Sequence, residues 1–459
     1  MRIPSFILAA ALALSPALAP QPAVAQDARA ALVARLDSIA AAPVIAKRAV
    51  GIVAAVVRGT DTLLLRGYGK SDALKNIAMP ADAFMEMGSV TKQFTAAAIL
   101  QLRDAGKVDL DADLHRYLPQ FDTHGNVVTV RQLLNHTSGI RGITEIAAFP
   151  TLFNTGYPRD SALALIERQP FDFPPGEAMI YNNSGFVILG HIIEKASGMS
   201  YEDYVERKIF APLGMTHSRY CNNAEVVPLR ARGHVMNLQG TRPADPNDHT
   251  WPFAAGSLCS TAGDMVTWLK ALHHGKVLGE RSYRDMTTPS HLGDGTTIRY
   301  GMGIGVSTDV HGRRMIGHGG AITGFTADTR WYPDADLYIV VLNNSNGPTS
   351  PSAVAGALAD AIIQPTPVPP LPFTGDVTPL LGKYTGPSRG RPMTVEVTAG
   401  PQGIAISTNA APALPAGWVK EWTFRLGETY LTFDRKGADG RPALLRFDAG
   451  SGYYKLKRE

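Results

Sequence analysis

Apolar residues recur along this chain in three rhythms. Near the front, Gly51–Val57 (GIVAAVV) is an unbroken apolar run, and Thr62–Gly69 (TLLLRGYG) follows after a turn. Such runs predict a strand pair, and Tyr338–Leu342 (YIVVL) predicts a later buried strand. Between Ser89 and about Leu272 the spacing is mainly helical. Gln93–Gln101 (QFTAAAILQ), for example, is apolar on one side and rich in good helix formers. Towards the far end short runs alternate: Thr394–Val397, Gly403–Ile406, Thr429–Phe433 and Leu444–Phe447. Glycine, proline and aspartate turns separate them, Asp439-Gly440 included, which predicts a small antiparallel barrel or sandwich.

The proline-dense stretch Gln364–Pro372 lies between the mixed and the alternating regions and reads as an extended spacer. The expected organisation is therefore a mixed α/β (α+β) domain over residues 26–363, a linker over 364–373 and an all-β domain over 374–459. Residues 1–25 read as a signal peptide: a basic start, the apolar run Phe6–Leu14 and a small-residue cleavage site, Ala23-Val24-Ala25, before Gln26. That run is too short to span a bilayer stably, and no later segment is apolar enough, so an exported protein without a stable membrane anchor is expected.

Composition removes several function classes. The apolar fraction of 45% over 459 residues is ample for a buried core. A net charge of +4, with basic and acidic residues interspersed, argues against nucleic acid as a partner. The two cysteines, Cys221 and Cys259, permit one bridge without requiring it. The histidines at positions such as His217, His234 and His291 are scattered, and Asp109, Asp111 and Asp113 lack the glycine and glutamate of a calcium loop. Neither a metal nor a cofactor is predicted.

The candidate chemistry begins at Ser89-Val90-Thr91-Lys92. A serine hydroxyl is a weak nucleophile until a base within hydrogen-bond reach takes its proton. Residues three apart share a helix face, so Lys92 can be that base if burial and nearby cations hold it deprotonated. Ser89 follows Gly88 at the expected start of a helix, where free backbone N–H groups favour a developing oxyanion. Alone, such a pair is common; two further segments give it company. They are Tyr181-Asn182-Asn183, after Pro174-Pro175-Gly176-Glu177, and Gly317-His318-Gly319-Gly320 before Ala321.

This ordered set, with Leu133–Ile140 (LLNHTSGI) and Tyr300–Gly303 (YGMG) beside it, resembles the class C β-lactamases, D-alanyl-D-alanine carboxypeptidases, D-aminopeptidases and related esterases of the penicillin-recognising serine hydrolases. The resemblance implies an antiparallel sheet flanked by helices plus a helical subdomain. It also implies Ser89 as nucleophile, Lys92 as base, and Tyr181 as a phenol relaying a proton to the leaving group. Asn183 would bind the acyl side of the substrate, and His318, Gly319 and Gly320 would form an edge strand beside which the substrate lies. The N–H groups of Ser89 and Ala321 would form the oxyanion hole. A phenol titrating at about 10 needs cations nearby to act at neutrality, and Lys92 with His318 are the expected ones. Because His318 stands where the β-lactamase pattern has a permanent lysine cation, poor β-lactam hydrolysis and tolerance of substrates without a fixed anion are expected. Leu381–Gly386 (LGKYTG) weakly resembles the opening of the lipocalin-like domain often appended to these hydrolases. The implied substrates are small esters, amides or D-amino-acid peptides. A β-lactamase, or a sensor that is acylated without turnover, are the alternatives. Gly386-Pro387-Ser388-Arg389-Gly390 matches the spacing of a nucleophile elbow, but no helix follows it, so no second nucleophile is expected there.

Overall fold

A computed structural model describes residues 23–147, 149, 156, 158–365, 371, 373–434, 437 and 439–459. The expected signal residues 1–22 and the spacer residues 366–370 and 372 lie outside the described residues. Helix α1 (Ala23–Ile45) leads into strands β1 (Gly51–Arg58) and β2 (Asp61–Asp72), the pair read from the apolar runs. A helical region follows: α2 (Thr91–Asp104), the two-residue strand β3 (Met179–Ile180), α3 (Ser184–Ser197) and α4 (Ala262–His273). The chain then returns to strands β4 (Gly305–Thr308), β5 (Arg314–Ile322), β6 (Phe325–Tyr332) and β7 (Leu337–Asn343), and to helix α5 (Pro351–Ile362).

These strands form one antiparallel sheet in the order β4-β5-β6-β7-β1-β2, with Ile77–Ala78 at the far edge. The early and late apolar runs are central neighbours, Ala54 opposite Val341 and Val56 opposite Ile339. Both are apolar at every position because both faces of the sheet are covered. Ile52, Ala54, Val56, Ile339 and Val341 meet Leu36 and Ala40 of α1 and Val354 and Leu358 of α5. The alternate residues Val53, Ala55, Val57, Val340 and Leu342 join the main core with Phe94 of α2 and Trp268 of α4. Capping fixes where the covering helices begin: Thr261 accepts from the Asp264 N–H ahead of α4, and Ser350 with Pro351 opens α5.

Cys221 and Cys259 are bridged, with Cα atoms 5.3 Å apart, which decides the question the sequence left open. The bridge ties Arg219–Tyr220 and Leu258–Ser260 together next to Met85–Glu86, a small sheet just ahead of Ser89.

The alternating runs form eight strands: β8 (Gly382–Gly386), β9 (Met393–Gly400), β10 (Gly403–Thr408), β11 (Leu414–Lys420), β12 (Thr423–Leu426), β13 (Thr429–Phe433), β14 (Leu444–Asp448) and β15 (Gly452–Arg458). Each pairs with the next, and β8 closes on β15 through Tyr384 and Arg458. The product is a closed barrel around Tyr384, Val395, Val397, Ile404, Phe424, Leu431 and Leu456. Closure leaves no free sheet edge along most of its circumference. The exception is the start of β15, where Gly452 pairs with Ile180 of β3, so a strand of the first region completes the sheet of the second. Arg299 to Asp448 at 2.8 Å and Lys455 to Asp294 at 2.7 Å fasten the same junction.

Candidate active site

Ser89 lies in a 3₁₀ turn, Gly88–Val90, immediately ahead of α2 rather than inside it. The turn presses against β5. Gly88 has φ +50°, and a Cβ there would come within 2.8 to 2.9 Å of the Ala321 backbone; one on Gly320 would come 2.0 Å from the Met87 carbonyl oxygen. Only glycine permits that approach, and it brings the main chain of Ala321 beside that of Ser89. The edge-strand expectation needs one refinement. Strand β4 covers β5 from Arg314 to Gly317, so the open edge starts at His318 and contains the His318-Gly319-Gly320-Ala321 segment.

Lys92 is fully buried one turn on. Its Nζ lies 3.1 Å from Ser89 Oγ, 2.8 Å from Asn183 Oδ1 and 2.9 Å from the Ala255 carbonyl oxygen. The last two atoms can only accept. A neutral lysine therefore spends both N–H groups on them and turns its lone pair towards the Ser89 hydroxyl. Burial drives the lysine well below its usual range; Arg389 adds to this and Glu145 opposes it. Reach and a depressed pKa, the two properties a base needs here, coincide at this atom.

Tyr181 follows β3, and its N–H donates to the Ser451 carbonyl oxygen of the barrel at 3.2 Å. Lys92 Nζ sits 4.8 Å from the ring centroid and the Arg389 guanidinium carbon 5.5 Å. The hydroxyl is buried against Ser89 without a hydrogen bond of good geometry. Two effects work against the cationic help expected for Tyr181. Burial pushes the phenol well above its usual range, and Ser89 and Arg389 draw it only partly back. Burial, and Lys92 whenever it is charged, pull the His318 ring down to about 4, so it offers Tyr181 little positive charge near neutrality. Asn183 stands where expected: it holds Lys92 through Oδ1, and its Nδ2 lies 3.4 Å from Thr144 Oγ1.

All the predicted side chains thus converge, and sequence reasoning missed three more features. Arg389, dismissed with the false nucleophile elbow, reaches the cleft on the loop between β8 and β9. Gly390 anchors that loop, its N–H 3.4 Å from Asp172 Oδ2 and its Cα against Glu145. His136 and Tyr300, quoted only as flanking phrases, are buried next to Tyr181; the His136 and Tyr181 ring centroids are 4.3 Å apart. Two cavities meet at Ser89. One, of about 310 Å³, is lined by Trp251, Pro252, Ile322, Thr144 and Asn183. The other, of about 600 Å³, runs along His318–Ala321 and includes Tyr181, Arg389 and Ser451.

A nucleophile beside a buried lysine whose pKa is depressed, with main-chain donors alongside, defines a serine hydrolase. Residues 30–363 match the Beta-lactamase family, and the chain belongs to it. It is 30% identical over 63% of its length to the putative penicillin-binding protein PbpX of Bacillus subtilis (strain 168), spanning 70% of that protein. It is 27% identical to the D-aminopeptidase of Gluconobacter oxydans (strain 621H), over 80% of this chain and 68% of the other. Among solved structures, a D-stereospecific amidohydrolase from Streptomyces sp. superposes with a TM-score of 0.62 at 25% identity, covering 73% of this chain and 99% of that one.

Proposed function

We propose that this protein is an exported hydrolase that cleaves short D-amino-acid peptides and amides through an acyl-enzyme on Ser89. The observation that carries the reading is the hydrogen bonding of Lys92, which leaves one tetrahedral position of its nitrogen for the serine proton. In the proposed cycle Lys92 takes the Ser89 proton as Oγ bonds to the substrate carbonyl carbon. The oxyanion is met by the N–H groups of Ser89 and Ala321. Breakdown expels the amine, which receives the proton held on Lys92 by way of the Tyr181 hydroxyl. Water then repeats the sequence on the acyl-enzyme, giving the acid and restoring Ser89. Lys92 is the acylation base in this reading, since burial makes Tyr181 harder to ionise and Lys92 easier to discharge.

Arg389 favours peptides over neutral esters. It is a guanidinium in the cleft, with no hydrogen bond or ion pair to another described residue, and a leaving group ending in a free carboxylate would meet it. The Trp251, Pro252 and Ile322 cavity would hold an apolar acyl side chain. The D-aminopeptidase and D-stereospecific amidohydrolase relatives are named for substrates of this kind.

The test is intact-mass spectrometry together with product release, using D-alanyl peptides, an aryl ester and a β-lactam in separate reactions, with Ser89→Ala as control. Ser89-dependent turnover of the peptides with the β-lactam left intact supports the proposal. Faster turnover of the ester or the β-lactam moves the substrate class accordingly. A lasting adduct on Ser89 without product would make the protein a sensor instead.

A further inference from the structure

Behind the open edge of β5 lies a chain of hydrogen bonds whose direction is set at its far end. The Asn182 N–H, 3.3 Å from His136 Nδ1, can only donate, so Nδ1 must accept. A neutral His136 then carries its proton on Nε2, which lies 3.3 Å from Tyr300 Oη. Having accepted there, the Tyr300 hydroxyl points its single proton at His318 Nε2, 2.9 Å away. At the other side of the His318 ring, Nδ1 lies 2.5 Å from the Gly319 carbonyl oxygen, an acceptor, and must donate. Every proton is thereby assigned. His136 and Tyr300 are buried, so no water stands ready to replace a broken link.

We propose that Asn182, His136 and Tyr300 form a one-way relay that holds His318 neutral and turned onto Gly319, so that the open edge of β5 presents no cation to the substrate and anion recognition falls to Arg389 on the barrel. Protonating His318 at Nε2 would set two donors against the Tyr300 oxygen and leave the Tyr300 proton without an acceptor, in a place where an orphaned donor is costly. His136 and Tyr300 are positioning residues: they act through His318.

The other groups facing His318 do not do this work. Lys92 repels a charged imidazole only while it is itself charged, and its own burial works against that charge. Tyr181 contacts the ring at 5.8 Å between centroids and makes no hydrogen bond to it. Arg389 faces the same cleft, and Asp328 on β6 is occupied by Arg330 at 2.6 Å. The Thr329 hydroxyl donates to the His318 carbonyl and accepts from Gln93 Nε2, so it meets the His318 backbone rather than its ring. The relay acts whichever charge Lys92 carries.

The consequence for selectivity rests on the peptide-hydrolase reading; the consequence for the imidazole does not, and the experiment separates them. Nitrogen-15 labelling of the histidines, with His318→Gln for assignment, reads tautomer and titration directly in the full-length protein. The wild type is expected to show His318 protonated at Nδ1 and His136 at Nε2, with His318 uncharged down to about pH 5. Tyr300→Phe should raise the His318 midpoint by about one unit. Hydrolysis of a D-alanyl dipeptide should then gain on that of its C-terminal amide by roughly tenfold when the pH is lowered from 7 to 5, a trend absent from the wild type. His318 protonated at Nε2, or already charged at pH 6 in the wild type, overturns the relay. So does a Tyr300→Phe protein with an unchanged midpoint, or an unchanged ratio. If Tyr300→Phe does not fold, the wild-type tautomers alone decide. If neither substrate turns over, the function proposed above fails while the spectra still judge the relay.

Discussion

The sheet-and-helix region and the barrel contribute to the same cleft in opposite ways. The first carries every residue whose type is chemically telling: Ser89, Lys92, Tyr181, Asn183 and His318, each set by a turn, a helix start or a strand edge. Among the described residues, the barrel places neither the nucleophile nor the base of the proposed reaction in the cleft. It supplies a carbonyl oxygen for the Tyr181 N–H, the strand on which Met179–Ile180 is completed, and the guanidinium of Arg389. Reactivity resides in one region, and placement and charge arrive from the other. A domain that looks appended can thus be part of a site without containing a motif of it.

The largest effect should come from the motif side. Ser89→Ala should lower kcat by roughly 10³-fold or more, and Lys92→Ala by about 10²- to 10⁴-fold, in steady-state assays with a D-alanyl peptide. A Lys92→Ala protein as active as the wild type would remove the base from the mechanism. The junction comes next. Arg299→Ala releases Asp448 and with it the start of β15, so Tyr181 should lose its fixed position; kcat should fall roughly ten- to a hundredfold. Asp448→Ala should cost about the same, and the double variant little more, since the two residues act as a pair. Near-wild-type rates in either would show that the barrel merely adheres.

Arg389→Ala tests the charge separately from the placement. Its KM for a peptide with a free carboxylate should rise about tenfold, and by less for the corresponding amide. The pH profile should move as well. Activity requires neutral Lys92, so it falls as the pH drops through the lysine midpoint. Arg389 holds that midpoint down, and removing it should shift the acid limb of kcat/KM to higher pH. A shift to lower pH would contradict the assignment of Lys92 as base. The smallest effect on activity is expected from the disulfide. Replacing Cys221 and Cys259 by alanine opens a loop with a sequence separation of 38. Chain-entropy reasoning puts that at about 4 kcal/mol at most, seen as a lower Tm by calorimetry with kcat changed less than by any variant above.

The readable part of the molecule was the part governed by local rules. The all-apolar runs of β1 and β7 announced strands, and the alternating runs beyond residue 380 announced an antiparallel barrel or sandwich, of which the structure has the barrel. The Ser89 to Lys92 spacing needed only the geometry of one turn. What escaped were effects that depend on surroundings assembled from distant segments. Lys92 and His318 were expected to help the Tyr181 phenol through charge, but burial at the cleft lowers His318 and raises Tyr181, and no residue spacing records burial. Arg389 sits in a loop whose only sequence signal was a misleading one, and its meaning comes from the docking of Gly390 on Asp172 and Glu145. Tyr300 and His136 were visible as phrases, yet their roles follow from a proton count that requires coordinates.

Strand β3 has a consequence in time. Ser451 and Gly452, which hold Tyr181 and Ile180, are made long after them. During synthesis the nucleophile, its lysine and the phenol all emerge while the strand that positions the phenol does not yet exist. Contacts between segments so far apart in sequence form late. A nascent chain halted before Ser451 would therefore contain each of the family's motifs and remain unable to hydrolyse, so the enzyme's competence is expected to appear only near the completion of the barrel.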